Sequence, residues 1–315
     1  MTIKERTEAP VIRRQIRLSI ILIVYNMQRA APRTIASLLP PYQLEVDERE
    51  YEIVVVENGS TEPLDQNLVE SSGANVRYYY LHNPPKSPAH AINFGVEKSR
   101  GDLLAIMIDG AHMVTPKLVH YGILPFSFER NPIVTAPRFF LGSEPQVDSV
   151  HNGYNEEVED GLLKSIAWPE DGYRLYEIGV PYRYEFTNGP PKLFWFVRQF
   201  ESNCLFVGKR SFEAVGGCDE RFDLPGGGCL MPDLYRELCE MNDASIVQIL
   251  GEASFHQVHG GVSTSSTREG QKSLWSTYTD QYEQIRGRPF DICRKPQQFV
   301  GHMPHKLAAK LMLTG

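Results

Sequence analysis

Six consecutive apolar residues, Leu103 to Ile108, stop at Asp109 in the string Leu-Leu-Ala-Ile-Met-Ile-Asp-Gly-Ala-His. The run predicts a strand buried on both faces that delivers a carboxylate and an imidazole to its carboxyl edge, where α/β sheets bind ligands. A carboxylate there can hold a divalent cation against a diphosphate, using hard oxygen ligands and open coordination positions. The competing reading is an acid that merely ends a strand and starts a turn.

The surrounding segments repeat the same unit. Leu18 to Tyr25, Tyr51 to Val56 and Val76 to Leu81 are β-branched, aliphatic or aromatic runs, each followed by a loop. Helical patterns lie between them: Pro32 opens one carrying Ile35, Leu38 and Leu39, and another runs near Leu64 to Ser72. A third starts at Ser87-Pro88 with Ala89, Ile92 and Val96 on one face. Alternating short strands and helices imply a parallel sheet covered by helices on both sides. Residues 1–15 read as a flexible arm, 16–262 as the main α/β domain with a nucleotide-binding half (16–125) and an acceptor and metal half (126–262), and 263–315 as a helical C-terminal extension. In the second half, Ile133 to Phe140 reads as one strand, Asn155 to Ile166 as a helix, and Ile246 to Leu250 and Ala253 to Val258 as strands.

Charge narrows the partners. A formal net charge of −7 leaves no basic surplus to displace phosphate counterions, so nucleic acid is not an expected ligand. The longest apolar stretch, Leu18 to Tyr25, falls short of the roughly 20 residues of a membrane span, which predicts a cytoplasmic protein. A tail with Lys306 and Lys310 among Leu307, Leu311, Met312 and Leu313 leaves weak peripheral membrane contact or packing on its own domain as readings. The five cysteines, Cys204, Cys218, Cys229, Cys239 and Cys293, have no zinc-ligand spacing and are expected to be free thiols. No Gly-x-Ser-x-Gly elbow, Walker loop or basic triphosphate loop is present, which speaks against serine hydrolase, P-loop and sugar nucleotidyltransferase chemistry.

Four blocks in order resemble the family-2 glycosyltransferases with the GT-A fold: Ser19 to Asn26, Val54 to Ser60, the helix of Asn93 leading to Met107-Ile-Asp-Gly110, and Val215-Gly-Gly-Cys-Asp-Glu-Arg-Phe222. The resemblance covers roughly residues 17 to 262. It implies a Rossmann-like, mostly parallel central sheet, with a smaller acceptor-side region, and a nucleotide-sugar donor, most simply a UDP-sugar, bound across the strand ends. Val24, Tyr25 and Glu57 would then lie at the base and ribose. Tyr25 offers an apolar face for stacking, with a strand-end core aromatic as its other reading, and Glu57 stands where the family usually has Asp. Lys86, His90 and Asn93 would face the donor diphosphate, and Gly227 and Gly228 would let backbone approach it closely.

Asp109 matches the first acid of the family's Asp-x-Asp motif, but Ala111 replaces the second and His112 follows. Relatives close the metal site with a histidine from the region that reads Phe255-His-Gln-Val-His-Gly-Gly261 here. His259 fits that position better than His256, for which the alternatives are to face the other side or to hold a ligand in place by a hydrogen bond. With His112 also a candidate, Asp and His ligation favours Mn²⁺ over Mg²⁺. Inverting members carry a Glu-Asp pair as acceptor base where this chain has Leu230 and Met231. Asp233, two residues on, is the candidate base, or simply an acid favoured by the first turn of a helix. The expected acceptor is a glycan or lipid-linked hydroxyl, with residues 142–200 shaping its choice. A catalytically silent nucleotide-sugar or glycan-binding relative remains the alternative, and the sequence carries no sign of oligomeric state.

Overall fold

A computed structural model describes residues 16–182, 194–261 and 266–310. The first half runs β1 (Leu18–Val24), α1 (Ala31–Ser37), β2 (Tyr51–Glu57), α2 (Gln66–Ser71), β3 (Val76–Tyr80), α3 (Ala89–Lys98) and β4 (Leu103–Met107). Next come β5 (His112–Val114), α4 (Leu118–Ile123), β6 (Pro132–Thr135), β7 (Arg138–Leu141), α5 (Gln146–Ser149), α6 (Glu156–Ser165) and β8 (Gly179–Pro181). The chain continues through β9 (Leu205–Gly208), α7 (Lys209–Ala214), α8 (Leu230–Glu240), β10 (Ser245–Leu250), β11 (Ser254–His256), α9 (Arg268–Arg286), β12 (Gln297–Gly301) and α10 (Lys306–Lys310).

The main sheet has eight strands in the order β12-β10-β6-β9-β4-β1-β2-β3. Only β9 runs against the others, pairing antiparallel with both β4 and β6. Successive side chains of a strand point to opposite faces, which explains why these strands are apolar throughout. Ile20, Leu22, Ile53, Val55, Ala105 and Met107 pack on one side with Ile35 of α1, Val69 of α2 and Leu118 of α4. Ile21, Ile23, Val54, Val56, Leu104 and Ile106 pack on the other with Ile92 of α3, Phe212 of α7 and Leu234 of α8. The three-layer α/β architecture expected from the sequence is what forms.

A second, four-stranded sheet, β5-β11-β7-β8, stands beside the carboxyl end of β4. The segment read as one strand from Ile133 to Phe140 is two, because Pro137 has no N–H to continue the ladder, and β6 and β7 then join different sheets. Its Phe139 stacks on Phe255 of β11, with ring centroids 4.9 Å apart, in a separate aromatic core with Trp195 and Tyr176.

The region from 263 onward is not only a helical extension. The strand β12 pairs parallel with β10 at the edge of the main sheet, and Tyr282 of α9 is completely buried. On α10, Ala308 is buried and its carbonyl accepts from Trp195 Nε1 at 2.8 Å, so this part of the tail docks on its own domain. Leu311, Met312, Leu313 and the arm 1–15 lie outside the described residues. Among the described residues no helix is long and apolar enough to cross a membrane.

Candidate functional site

Asp109 follows β4 in the turn that carries the chain from the main sheet into the small one. Its Oδ1 accepts from Ala111 N at 2.8 Å, closing the turn locally, and its own N–H donates to Asn203 Oδ1 at 3.1 Å. The second oxygen, Oδ2, is thereby turned toward β11. His256 closes that strand in register with His112 of β5, and His259 lies three residues further along. Asp109 Oδ2 is 3.2 Å from His256 Nε2 and 3.3 Å from His259 Nε2, and the two nitrogens are 3.1 Å apart. Among the described residues this is the one group of three or more His, Cys, Asp or Glu whose ligand atoms all lie within 4.8 Å of one another.

The surroundings fit a cation. His256 Nδ1 sits 2.6 Å from Gln146 Oε1, and Gln146 Nε2 donates to the His256 carbonyl at 3.1 Å. An Nδ1–H donated to that amide oxygen leaves the Nε2 lone pair directed at Asp109 and His259, which is how a second shell sets a ligand tautomer. Ligand atoms about 2.1 Å from one ion at right angles are roughly 3 Å apart, matching these separations. Burial opposes ionisation of Asp109, but the charge on His259 and its bond to the carboxylate outweigh it and hold the carboxyl well below the usual carboxylate range. Burial pushes His256 down, whereas at His259 burial is outweighed by the Asp109 charge, which raises it.

Both histidines of the Phe255–Gly261 segment therefore reach Asp109, where the sequence only ranked His259 ahead of His256. His112 stands one step back. It is completely buried, its Nδ1 lies 3.2 Å from Ser254 Oγ, and its Nε2 is 4.0 Å from Asp109 Oδ2 without a hydrogen-bond partner. Burial pushes its imidazole well down, so it stays neutral and packs edge-on against His256 at 4.7 Å.

The donor-side residues divide. Tyr25 is 52% exposed at the end of β1, and the next residue, Asn26, accepts through Oδ1 from Thr61 N at 2.9 Å, tying the first two strand-end loops together. This excludes the core-aromatic reading. Val24 is buried and contributes its carbonyl to Asn58 N. Glu57 is fully buried and holds its own loop by accepting from Ser60 Oγ, Leu64 N and Tyr78 OH, while burial raises its carboxyl. Those partners occupy the carboxylate that the sequence placed at the base and ribose. Lys86 is exposed, and His90 lies half-exposed with Nδ1 3.3 Å from Glu220 Oε1. Asn93 bonds the backbone of Cys218, accepting from N and donating to O at 2.9 Å each, and donates to Glu220 Oε1 at 3.1 Å, so it fixes the Gly216-Gly217 turn.

Gly227 and Gly228 take φ of +85° and +55°, conformations that L side chains rarely adopt. A Cβ on Gly227 would lie 3.1 Å from Leu230 Cβ in α8 and 3.4 Å from Pro88 Cδ at the start of α3, so the run is closed between those helices. Leu230 and Met231 are buried in the core. Asp233 is buried as well, and both its oxygens accept from Arg286, at 2.7 Å from Nε and 2.5 Å from Nη2. The acceptor-base role expected of it does not fit a carboxylate sealed in this way; it joins α8 to α9. All five cysteines are buried and free, and burial pushes the Cys229 thiol up to about 12. Sequence reasoning missed Gln146, Asn203 and Glu159, polar residues that no motif marks.

The fold, a mostly parallel sheet flanked by helices, has known counterparts. The Glycosyl transferase family 2 model matches residues 19–180, just over half of the 315 residues, and the chain belongs to that family. The fold is that of the TarS 1–349 fragment of S. aureus. Its complex with UDP matches with a TM-score of 0.51 at 13% identity, over 85% of this chain and 66% of that one. Its complex with UDP-GlcNAc gives 0.51 at 14% identity, over 85% and 67%. An uncharacterized glycosyltransferase of Rickettsia bellii is 30% identical over 94 residues, which is 30% of this chain and 13% of that protein. The chain therefore spans about two thirds of the solved relatives and a small part of the Rickettsia protein.

Proposed function

We propose that this chain is a metal-dependent glycosyltransferase that moves a sugar from a nucleotide-diphosphate donor, a UDP-sugar, to a hydroxyl of a glycan or lipid-linked acceptor. The observation that carries the reading is the convergence of Asp109 Oδ2, His256 Nε2 and His259 Nε2 within 3.1–3.3 Å at the carboxyl edge of the sheet. A divalent ion held by these residues would neutralise charge developing on the departing diphosphate. Two imidazoles beside one carboxylate favour Mn²⁺ over Mg²⁺, since imidazole suits the later first-row metals. Asp109 and the histidines leave further coordination positions for phosphate oxygens. Tyr25 offers its exposed ring to the base, Lys86 offers a point charge to the diphosphate, and the left-handed backbone of Gly227 and Gly228 would let the main chain approach the donor closely.

A second reading has specific support. With Leu230 and Met231 at the family's acid positions and Asp233 held by Arg286, the first turn of α8 supplies no free acceptor base, as in a relative that binds nucleotide-sugar without turning it over. Donor hydrolysis separates the two. The enzyme releases UDP slowly from a UDP-sugar, depends on Mn²⁺ and loses the activity with Asp109→Ala. Tight donor binding without UDP release would establish the binding protein, and failure to bind any UDP-sugar would refute both.

A further inference from the structure

The ladder of β11 stops at His256, and the metal-facing position of His259 is set beyond it. Gln257 N still bonds a backbone oxygen, that of Ala111 at 2.8 Å, but the next amide, Val258 N, goes to a side chain: Glu159 Oε2, at 2.8 Å. Glu159 lies in the first turn of α6, a helix from the segment expected to shape acceptor choice, and is completely buried. The same oxygen accepts from Tyr154 OH at 3.0 Å, and Oε1 accepts from Arg29 Nη1 at 3.0 Å. Arg29 Nη1 also donates to the Val258 carbonyl at 3.4 Å, and Nη2 is held by Glu156 O at 2.9 Å and Asp160 Oδ1 at 2.6 Å. Both peptide groups of Val258 are thus gripped by one ion pair, immediately before His259.

A buried ion pair is a poor source of stability compared with apolar packing, because both charges lose their water. What it supplies is direction: a carboxylate with two acceptor oxygens fixed by a planar guanidinium fork defines where a peptide plane must lie. We infer that Glu159 and Arg29 are a positioning pair that fixes Val258 so that His259 Nε2 points at Asp109 Oδ2. The inference rests on the metal-binding reading above. It gives α6 a role toward the donor site rather than the acceptor, and makes Gln146 and Glu159, from neighbouring helices of one segment, the supports of the two ligand imidazoles.

Glu159→Gln tests this with little change of shape. An amide can present oxygen to Val258 N or to Arg29, but its NH₂ then opposes the other donor, so either orientation breaks one side of the grip. The readouts are the Mn²⁺ dissociation constant from EPR titration, the number of directly bound imidazole nitrogens from electron spin-echo modulation, and the metal-free thermal midpoint. Wild-type protein is expected to show two bound nitrogens. Glu159→Gln should show one and bind Mn²⁺ about 10–100-fold more weakly, the range for loss of an outer-shell support. Arg33→Ala is the control, since Arg33 bonds Asp160 on the same helix at 2.6 Å, and should leave Mn²⁺ binding unchanged. If Glu159→Gln does not fold, Arg29→Lys is judged by the same criteria, because an ammonium cannot span Glu159, Val258 and Glu156 together.

Unchanged affinity and two bound nitrogens in a folded Glu159→Gln protein would overturn the inference while leaving the metal site standing. An equal loss in Arg33→Ala would also overturn it, as general loosening of α6. Wild-type protein that binds no Mn²⁺ would overturn the metal reading and the inference with it.

Discussion

Gln146→Leu removes the side chain that sets the tautomer of His256 while keeping nearly the same volume. Two buried contacts go: the 2.6 Å contact of Oε1 with His256 Nδ1 and the 3.1 Å bond to the His256 carbonyl. Leaving both groups unsatisfied in a site where His256 is only 4% exposed costs about 1–3 kcal/mol each before relaxation, so the metal-free protein should lose roughly 2–4 kcal/mol in urea unfolding. The effect on the ion is separate. Without an acceptor at Nδ1 the imidazole proton moves to Nε2, where Asp109 Oδ2 waits at 3.2 Å, and that nitrogen is lost as a ligand. Mn²⁺ affinity by isothermal titration calorimetry should fall about 10–100-fold, equivalent to roughly 1.4–2.7 kcal/mol. Gln146→Glu keeps an acceptor at Nδ1 and should retain more of the affinity. A folded Gln146→Leu protein binding Mn²⁺ within about twofold of wild type would refute the tautomer argument.

Asp233→Asn, which breaks the paired bonds to Arg286, should destabilise the fold by about 3 kcal/mol in denaturant while leaving the Mn²⁺ dissociation constant unchanged; a lost metal site with intact stability would reverse the assignment. Tyr25→Ala should weaken UDP binding by roughly 1–2 kcal/mol in calorimetry with no shift in thermal midpoint, because the ring is half-exposed and supports nothing beneath it. The Arg221 bond holds Asp219 down at about 2, against 3.8 for the free group. A depressed carboxyl stabilises the fold above its unfolded value and loses that contribution as pH falls toward the folded one. The stability gap between wild type and Asp219→Asn, roughly 1 kcal/mol near neutrality after solvent screening, should therefore close between about pH 4 and pH 2. Ellman's reagent should find the buried thiols, Cys229 among them, unreactive until the protein unfolds.

The sheet was legible because strands buried on both faces must be apolar throughout: β1, β2 and β4 announce themselves, and their order with the intervening helices fixes a parallel arrangement. The small sheet was not. Its strands β5 and β8 are three residues long, too short to carry a period, β11 was read but not its place in a second sheet, and β7 was hidden behind Pro137 in what looked like one continuous run. The edge strand β12 begins Gln-Gln and is only partly buried, so it lacks the composition by which strands are recognised. At the site, Asp109 could be found from the run that ends on it, and the two histidines from their place before a glycine pair. Which of them faced Asp109 depended on where β11 ends, a feature of pairing with β5 and β7 that sequence does not display. Gln146 and Glu159 were invisible for a further reason: each is an ordinary polar residue whose meaning comes from a contact more than 90 positions away. Glu57 and Asn93 show the converse: the sequence marked them through their family blocks, but not that their side chains hold the loops around them.

The central claim is that Asp109, His256 and His259 together hold one divalent ion. Anomalous diffraction from crystals grown with Mn²⁺ and UDP tests it directly: a single strong peak should lie between Asp109 Oδ2 and the two Nε2 atoms, in contact with the diphosphate, and vanish in Asp109→Ala. Bound UDP with no metal peak among those three atoms, or a peak held by other residues, would contradict the account.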